Sequence, residues 1–340
     1  MHLTRKELVL SRMNGEVDDR VPVLPPFQSF FANRIAGINT QDARKCPGKV
    51  ARAQIDIAYR CDFDGIDMGV DGLAPIEACG SRVSFPEFGL PYTTEPAIST
   101  LNELDELLIP DPDEDHRFQA SLLAAEKIVE EIGNEYFTQA SLCGPITFMG
   151  ELRGLDTFIS DLDVHPDLAE DMIEYSTAVF NRYIEEYFRL DVDALVISEP
   201  TCAGDYLSAG QFRRFALPAI DRCITLCKRS KKKVILHLCG SSKDILKYIS
   251  DTDIDAVCLD ADIADIPENM KRKTIIGNIS GSQFSSGDHH DVLKASIKCI
   301  DSMLGERFIL GSGCIIPLTS RISNLRMLKY ASEYHMLNQR

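Results

Sequence analysis

Short, uninterrupted apolar runs recur along the chain, separated by longer stretches of helical periodicity. The runs are "VPVLPP" from Val21, "FDGIDMG" from Phe63, "YFTQASL" from Tyr136, "ALVIS" from Ala194, "KVILHL" from Lys233, "AVCLD" from Ala256, "TIIGNI" from Thr274 and "RFILGSG" from Arg307. They predict eight strands, and their continuous apolarity predicts burial on both faces. Amphipathic stretches lie between most of them, such as "DLAEDMIEYSTAVFNRYIEEYFRL" from Asp167, opened by Pro166. The start, "MHLTRKELVLSRMNGE", reads as an amphipathic helix. About eight alternations of strand and helix predict an α/β protein, a single (β/α)8 TIM barrel. A doubly wound sheet also alternates, but no GxGxxG follows the first strand. The expected layout is one domain over 1–340, with an N-terminal helix in 1–18 and the barrel in 19–340. About 70 residues separate the second and third strands, and "LLIPDPDEDHRF" within them marks an insertion over the barrel surface.

Composition narrows the function. A formal net charge of -16 argues against a nucleic-acid partner, because a phosphate backbone demands clustered Lys and Arg. The one compact basic run, Lys228 to Lys233, falls between a helix pattern and a strand pattern and reads as a solvated helix end. No window reaches the ~18 apolar residues of a membrane span. Eleven cysteines without a secretion signal are expected to stay thiols in a reducing cytosol, so a cytoplasmic protein is expected.

In a barrel of this kind the working face lies at the C-terminal ends of the strands. His237 and Cys239 end the fifth strand, with i and i+2 pointing the same way. Asp260 ends the sixth, and Cys314 follows the eighth. All four are expected at one rim. Cys, His and carboxylate are the ligands zinc prefers, and three protein ligands plus one open position make a catalytic arrangement. The HxC alone reads more readily as core than as a ligand pair, since free Cys is among the most buried residue types. A Cys in the small-residue loop "GSGC" is poorly explained by packing. The remaining cysteines, Cys258 among them, read as core.

Several blocks resemble the uroporphyrinogen decarboxylase superfamily, and specifically its zinc-dependent methylcobamide:thiol methyltransferase branch. They are "HLCG" at His237, "GNI" at Gly277, "GSGCIIPLT" at Gly311, "SLCGPITFMGELRGLDTFISDL" from Ser141, "SEPTCAGDYLSAGQFRRFALP" from Ser198 and "DRVPV" from Asp19. The resemblance implies Zn2+ held by His237, Cys239 and Cys314, with Asp260 near the fourth position. It also implies Glu77, in "IEACG", as an active-site residue and Asn278 as a cofactor-side residue. The implied reaction moves a methyl group from a methylcorrinoid, presented by a small partner protein, to a thiol such as coenzyme M or to tetrahydrofolate. A porphyrinogen decarboxylase, using Asp67 or Asp71, is an alternative. Against it, "LPPFQSFFANRIAG" offers only Arg34 where a polycarboxylate needs several cations. A non-catalytic corrinoid- or tetrapyrrole-binding role is the third reading.

Overall fold

The computed structural model describes residues 3–16, 20–68, 71–240, 242–262 and 265–338. Met1 and His2 of the expected first helix, residues 17–19 with the start of "DRVPV", and Gly69 of the second run lie outside the described residues. Nine strands are present among the described residues: β1 (Gly65–Asp67), β2 (Arg82–Ser84), β3 (Tyr92–Glu95), β4 (Phe137–Cys143), β5 (Ala194–Ser198), β6 (Lys233–Leu238), β7 (Ala256–Leu259), β8 (Thr274–Ile279) and β9 (Phe308–Ser312). Seven form one sheet in the order β1-β4-β5-β6-β7-β8-β9. Every pairing within it is parallel. Seven of the eight expected runs therefore become strands of one curled sheet, and all their C-terminal ends point to one rim.

The eighth place is held by the first run, which forms only a single bridge, Val23 with Leu310. The cause is its prolines: Pro22, Pro25 and Pro26 have no N–H to donate. The bonds that remain still close the barrel. Leu24 N donates to Leu310 O at 2.9 Å, Leu310 N to Pro22 O at 2.9 Å, and Asp64 N to Val23 O at 2.8 Å. The Asp64 carboxylate accepts Val23 N at 2.8 Å and both Arg20 Nη atoms at 2.7 Å. With no exposure of its own, Asp64 latches the first segment to β1.

Residue parity sorts the apolar side chains into two clusters. Leu24, Phe137, Ala194, Val196, Ile235, Ala256, Cys258, Ile276 and Ile309 fill the barrel. The larger cluster lies between the sheet and the helices around it. The N-terminal helix Arg5–Asn14, held by a Thr4–Glu7 capping box, sends Val9 and Met13 into the inner cluster. The insertion folds as the helix Ala74–Ala78, the antiparallel pair β2/β3, a 3-10 turn at Leu101–Glu106 and the helix His116–Ile132. Its Asp-rich stretch ends in a functional cap, because Asp115 accepts Arg117 N and Phe118 N. The helix from Pro166 runs to Ile184 and tightens to 3-10 over Glu185–Arg189.

The basic run is more engaged than a solvated helix end. Lys228 and Lys233 both reach Asp255, and Lys232 Nζ donates to Leu190 O. Among the described residues, no helix is long and apolar enough to cross a membrane.

Asp64→Ala leaves Arg20 and a strand N–H without their partner in a dry place. It is expected to cost about 3–5 kcal/mol in urea unfolding, the scale of a broken buried pair. A loss below about 1 kcal/mol would contradict the latch.

Candidate functional site

Strand β6 carries Ile235 and His237 on its inner face, above the apolar filling of the barrel. His237 is buried, and burial pushes its pKa down to about 3, only weakly opposed by the Cys258 backbone. The ring is therefore neutral at ordinary pH and offers a lone pair. Its Nε2 lies 3.8 Å from Cys314 Sγ, although the two residues are 77 apart in sequence. Cys239 follows the strand, and Gly240 then turns with φ +79. That positive φ favours glycine, and a Cβ there would also displace Asp205 Oδ2.

Cys239 and Cys314 share a hydrogen bond. Cys314 donates, which lowers the Cys239 pKa against the opposing effects of burial and of the Asp260 and Asp205 charges. The Cys314 thiol is raised by the same bond and by its burial. The pair thus gives up one proton easily and a second with difficulty, as two coupled thiols do. A cation between them would favour the doubly ionised form.

Three predicted residues thus meet at the rim in pairs: His237 with Cys314, and Cys314 with Cys239. Asp260 acts on Cys239 through its charge, and burial raises its own pKa. The trio is open. Among the described residues, Asp288, His289 and His290 are the group whose ligand atoms all lie within 4.8 Å of one another. That trio is exposed at the start of the helix His289–Ser302, where Asp288 serves as N-cap.

Glu77 and Asn278 are engaged elsewhere. The Glu77 carboxylate binds Arg117 at 2.9 Å and Arg44 at 3.2 Å, with the Phe85 ring against both guanidinium groups. Asn278 Nδ2 donates to Ala261 O, and its Oδ1 accepts from Cys299 Sγ at 3.0 Å, on the helix side of β8. With Asp260, Lys298 and Cys299 it lines an open groove of about 460 Å³. Asp67 accepts Gln139 Nε2 at 2.8 Å and Ser141 Oγ at 2.7 Å, while Asp71 is paired with Arg117.

Sequence reasoning missed four neighbours of the site. Cys258 points inward and approaches Gly313 O at 3.7 Å. Burial keeps it a neutral thiol. Asp205 carries charge to Cys239 from the loop after β5. Phe27 stacks on His237, with ring centroids 4.6 Å apart. Glu199, just past β5, is fully buried; its backbone N donates to His237 O at 2.9 Å. Its carboxylate accepts Ile146 N, Thr147 N and Thr147 Oγ1 at 2.8–3.0 Å, capping the helix Pro145–Arg153. Burial outweighs those bonds and lifts its pKa to about 7.

A sequence-family profile described as uroporphyrinogen decarboxylase (URO-D) matches residues 4–334. The methylcobamide:CoM methyltransferase MtbA of Methanosarcina mazei is 23% identical over 338 residues, covering 97% of this chain and 98% of the relative. A methylated-thiol–coenzyme M methyltransferase of the same organism is 24% identical over 334 residues, covering 90% of this chain and 84% of the relative. Among solved structures, a methyltransferase from Methanosarcina mazei superposes with a TM-score of 0.86 at 19% identity, over 98% of this chain and 99% of that one. That likeness establishes the TIM-barrel fold.

The raised Glu199 pKa fixes the sign of a pH effect. Between the unfolded value of 4.5 and about 7, the folded protein holds a proton that the unfolded chain has released. Stability contributed by protonated Glu199 is complete below 4.5 and is lost as pH rises to 7, a change on the order of 3 kcal/mol. Glu199→Gln is expected to flatten the decline of unfolding free energy across that window. Identical pH profiles for the two proteins would contradict the assignment.

Proposed function

The chain belongs to the uroporphyrinogen decarboxylase family, and within that family we propose that it is a zinc-dependent methyltransferase acting between a methylcorrinoid and a thiol. The observation that carries the reading is the meeting of His237 Nε2 with Cys314 Sγ at 3.8 Å, beside a Cys239–Cys314 thiol pair, at the C-terminal rim of a parallel barrel. Sequence likeness along nearly the whole length of curated methylcobamide:CoM methyltransferases supports it.

The donor set fits zinc. It combines one neutral imidazole with two hydrogen-bonded thiols, and it has no paired CxxC of a closed structural site. His237, Cys239 and Cys314 would hold the ion, which would supply a Lewis acid on which an incoming thiol ionises near neutral pH.

The chain's own residues do the rest. Buried His237 stays unprotonated, so its lone pair remains available through the working pH range. Asp260, half-buried and acting by its charge on Cys239, would receive the proton that the acceptor thiol loses. Glu77 is clamped by Arg117 and Arg44, and Asn278 lines the groove beside Asp260. The acceptor sulfur then forms its bond to the methyl carbon. The Co–C bond breaks heterolytically, leaving Co(I) on the corrinoid, a substrate presented by a small partner protein. Coenzyme M is the thiol named for the relatives; tetrahydrofolate is the other acceptor to be tested.

Metal analysis is combined with an assay of free methylcobalamin against coenzyme M, homocysteine and tetrahydrofolate. A His289→Ala/His290→Ala background removes the exposed surface trio as a source of bound metal. About one equivalent of zinc and thiol methylation are expected. Cys239→Ala and Cys314→Ser should lose the zinc and at least about a hundredfold in rate, the scale of several kcal/mol of charge stabilisation. Metal-free protein with full methyl transfer would overturn the proposal.

A further inference from the structure

The Cys258 backbone acts on the His237 ring, but only loosely. Its buried Nδ1 makes no hydrogen bond that meets ordinary geometry. A ligand imidazole usually donates that N–H to a carbonyl or carboxylate, which fixes both tautomer and ring rotation. The histidine χ2 torsion is broad by itself, so a ring held only loosely at Nδ1 needs another constraint.

An aromatic side chain occupies that role. Phe27 lies with its ring centroid 4.6 Å from that of His237, the planes tilted by 59°, in the range where edge and offset aromatic contacts are attractive. Phe27 packs against the inner barrel cluster that includes Leu24, Ile235 and Cys258. The His237 ring therefore abuts the phenyl group, and the imidazole Nε2 lies 3.8 Å from Cys314 Sγ.

The backbone is held there at a cost. Phe27 has φ +52, a left-handed conformation that is a genuine outlier for a bulky residue. It follows Pro25 and Pro26, whose fixed φ angles limit how the chain leaves the closing bridge at Val23. Strained residues of this kind persist where the surrounding structure over-determines them, and they cluster at functional sites.

We infer that Phe27 is a positioning residue: its ring, in place of a well-formed hydrogen bond to Nδ1, holds the His237 imidazole with Nε2 directed at the metal position. The inference rests on the zinc reading of His237, Cys239 and Cys314. It assigns to Phe27 no contact with substrate. Its effect is on how well one ligand is presented.

The test is a zinc titration against a competing chelator, with cobalt(II) substitution as the spectroscopic probe, on the His289→Ala/His290→Ala background. Phe27→Ala is expected to bind zinc about 10–100-fold more weakly, as when a partner behind a ligand is removed. Its cobalt d–d bands should move toward those of His237→Ala, while thiolate-to-cobalt charge transfer persists. Phe27→Tyr, which keeps the ring, should restore the wild-type spectrum. Leu24→Ala, a deletion in the same cluster with its side chain against Gly65, should lower stability and leave zinc affinity unchanged. Wild-type affinity and spectrum in Phe27→Ala would overturn the inference, as would an equal loss in Leu24→Ala. Wild-type zinc affinity and cobalt spectrum in His237→Ala would instead defeat the ligand assignment, and the inference with it.

Discussion

The site depends on closure of the barrel between β9 and β1. Parallel strands send every C-terminal end to the same rim, but they bring the end of β6 opposite the loop after β9 only when the sheet curls fully round. The closing segment is the least regular of the eight, one bridge at Val23 flanked by prolines. It is made secure by a buried carboxylate, Asp64, which gathers Arg20 and the Val23 N–H. Without that latch, the residues after Pro25 would have no fixed path, and Phe27 would not reach His237.

From closure the electrostatics of the rim follow. Depth in the barrel keeps His237 neutral, and proximity makes Cys239 and Cys314 compete for protons. Asp260 and Asp205 bring negative charge toward the same sulfur. Such a place is poor at holding two thiolates by itself and well suited to a divalent cation. Glu199 adds a brace from the neighbouring strand, binding the helix start at Ile146 and Thr147 through its carboxylate and His237 O through its backbone N.

Much of this was legible in the chain because continuous apolar runs and strand parity are strong, local signals. The runs at Ala194, Lys233, Ala256 and Thr274 became β5 to β8 with bounds close to those expected. Strand ends then put His237, Cys239, Asp260 and Cys314 on one rim. The same parity also carried Cys258, two residues before Asp260, into the barrel filling, where it is the core residue its run implied. The run at Val21 overstated its strand, since proline removes the donors that apolarity alone does not count. Other features are set by tertiary contact and leave no pattern in sequence. Asp205 reaches Cys239 from a loop, Glu77 is drawn away by Arg44 and Arg117, and Phe27 meets His237 by a strained turn.

The central claim is that His237, Cys239 and Cys314 form one metal centre. X-ray absorption at the zinc edge tests it most directly, on protein carrying one equivalent of zinc and lacking His289 and His290. The account predicts two sulfur neighbours at about 2.3 Å and at least one imidazole nitrogen at about 2.0–2.1 Å, with remaining light-atom scattering from an exchangeable ligand. A first shell built of nitrogen and oxygen alone would contradict it.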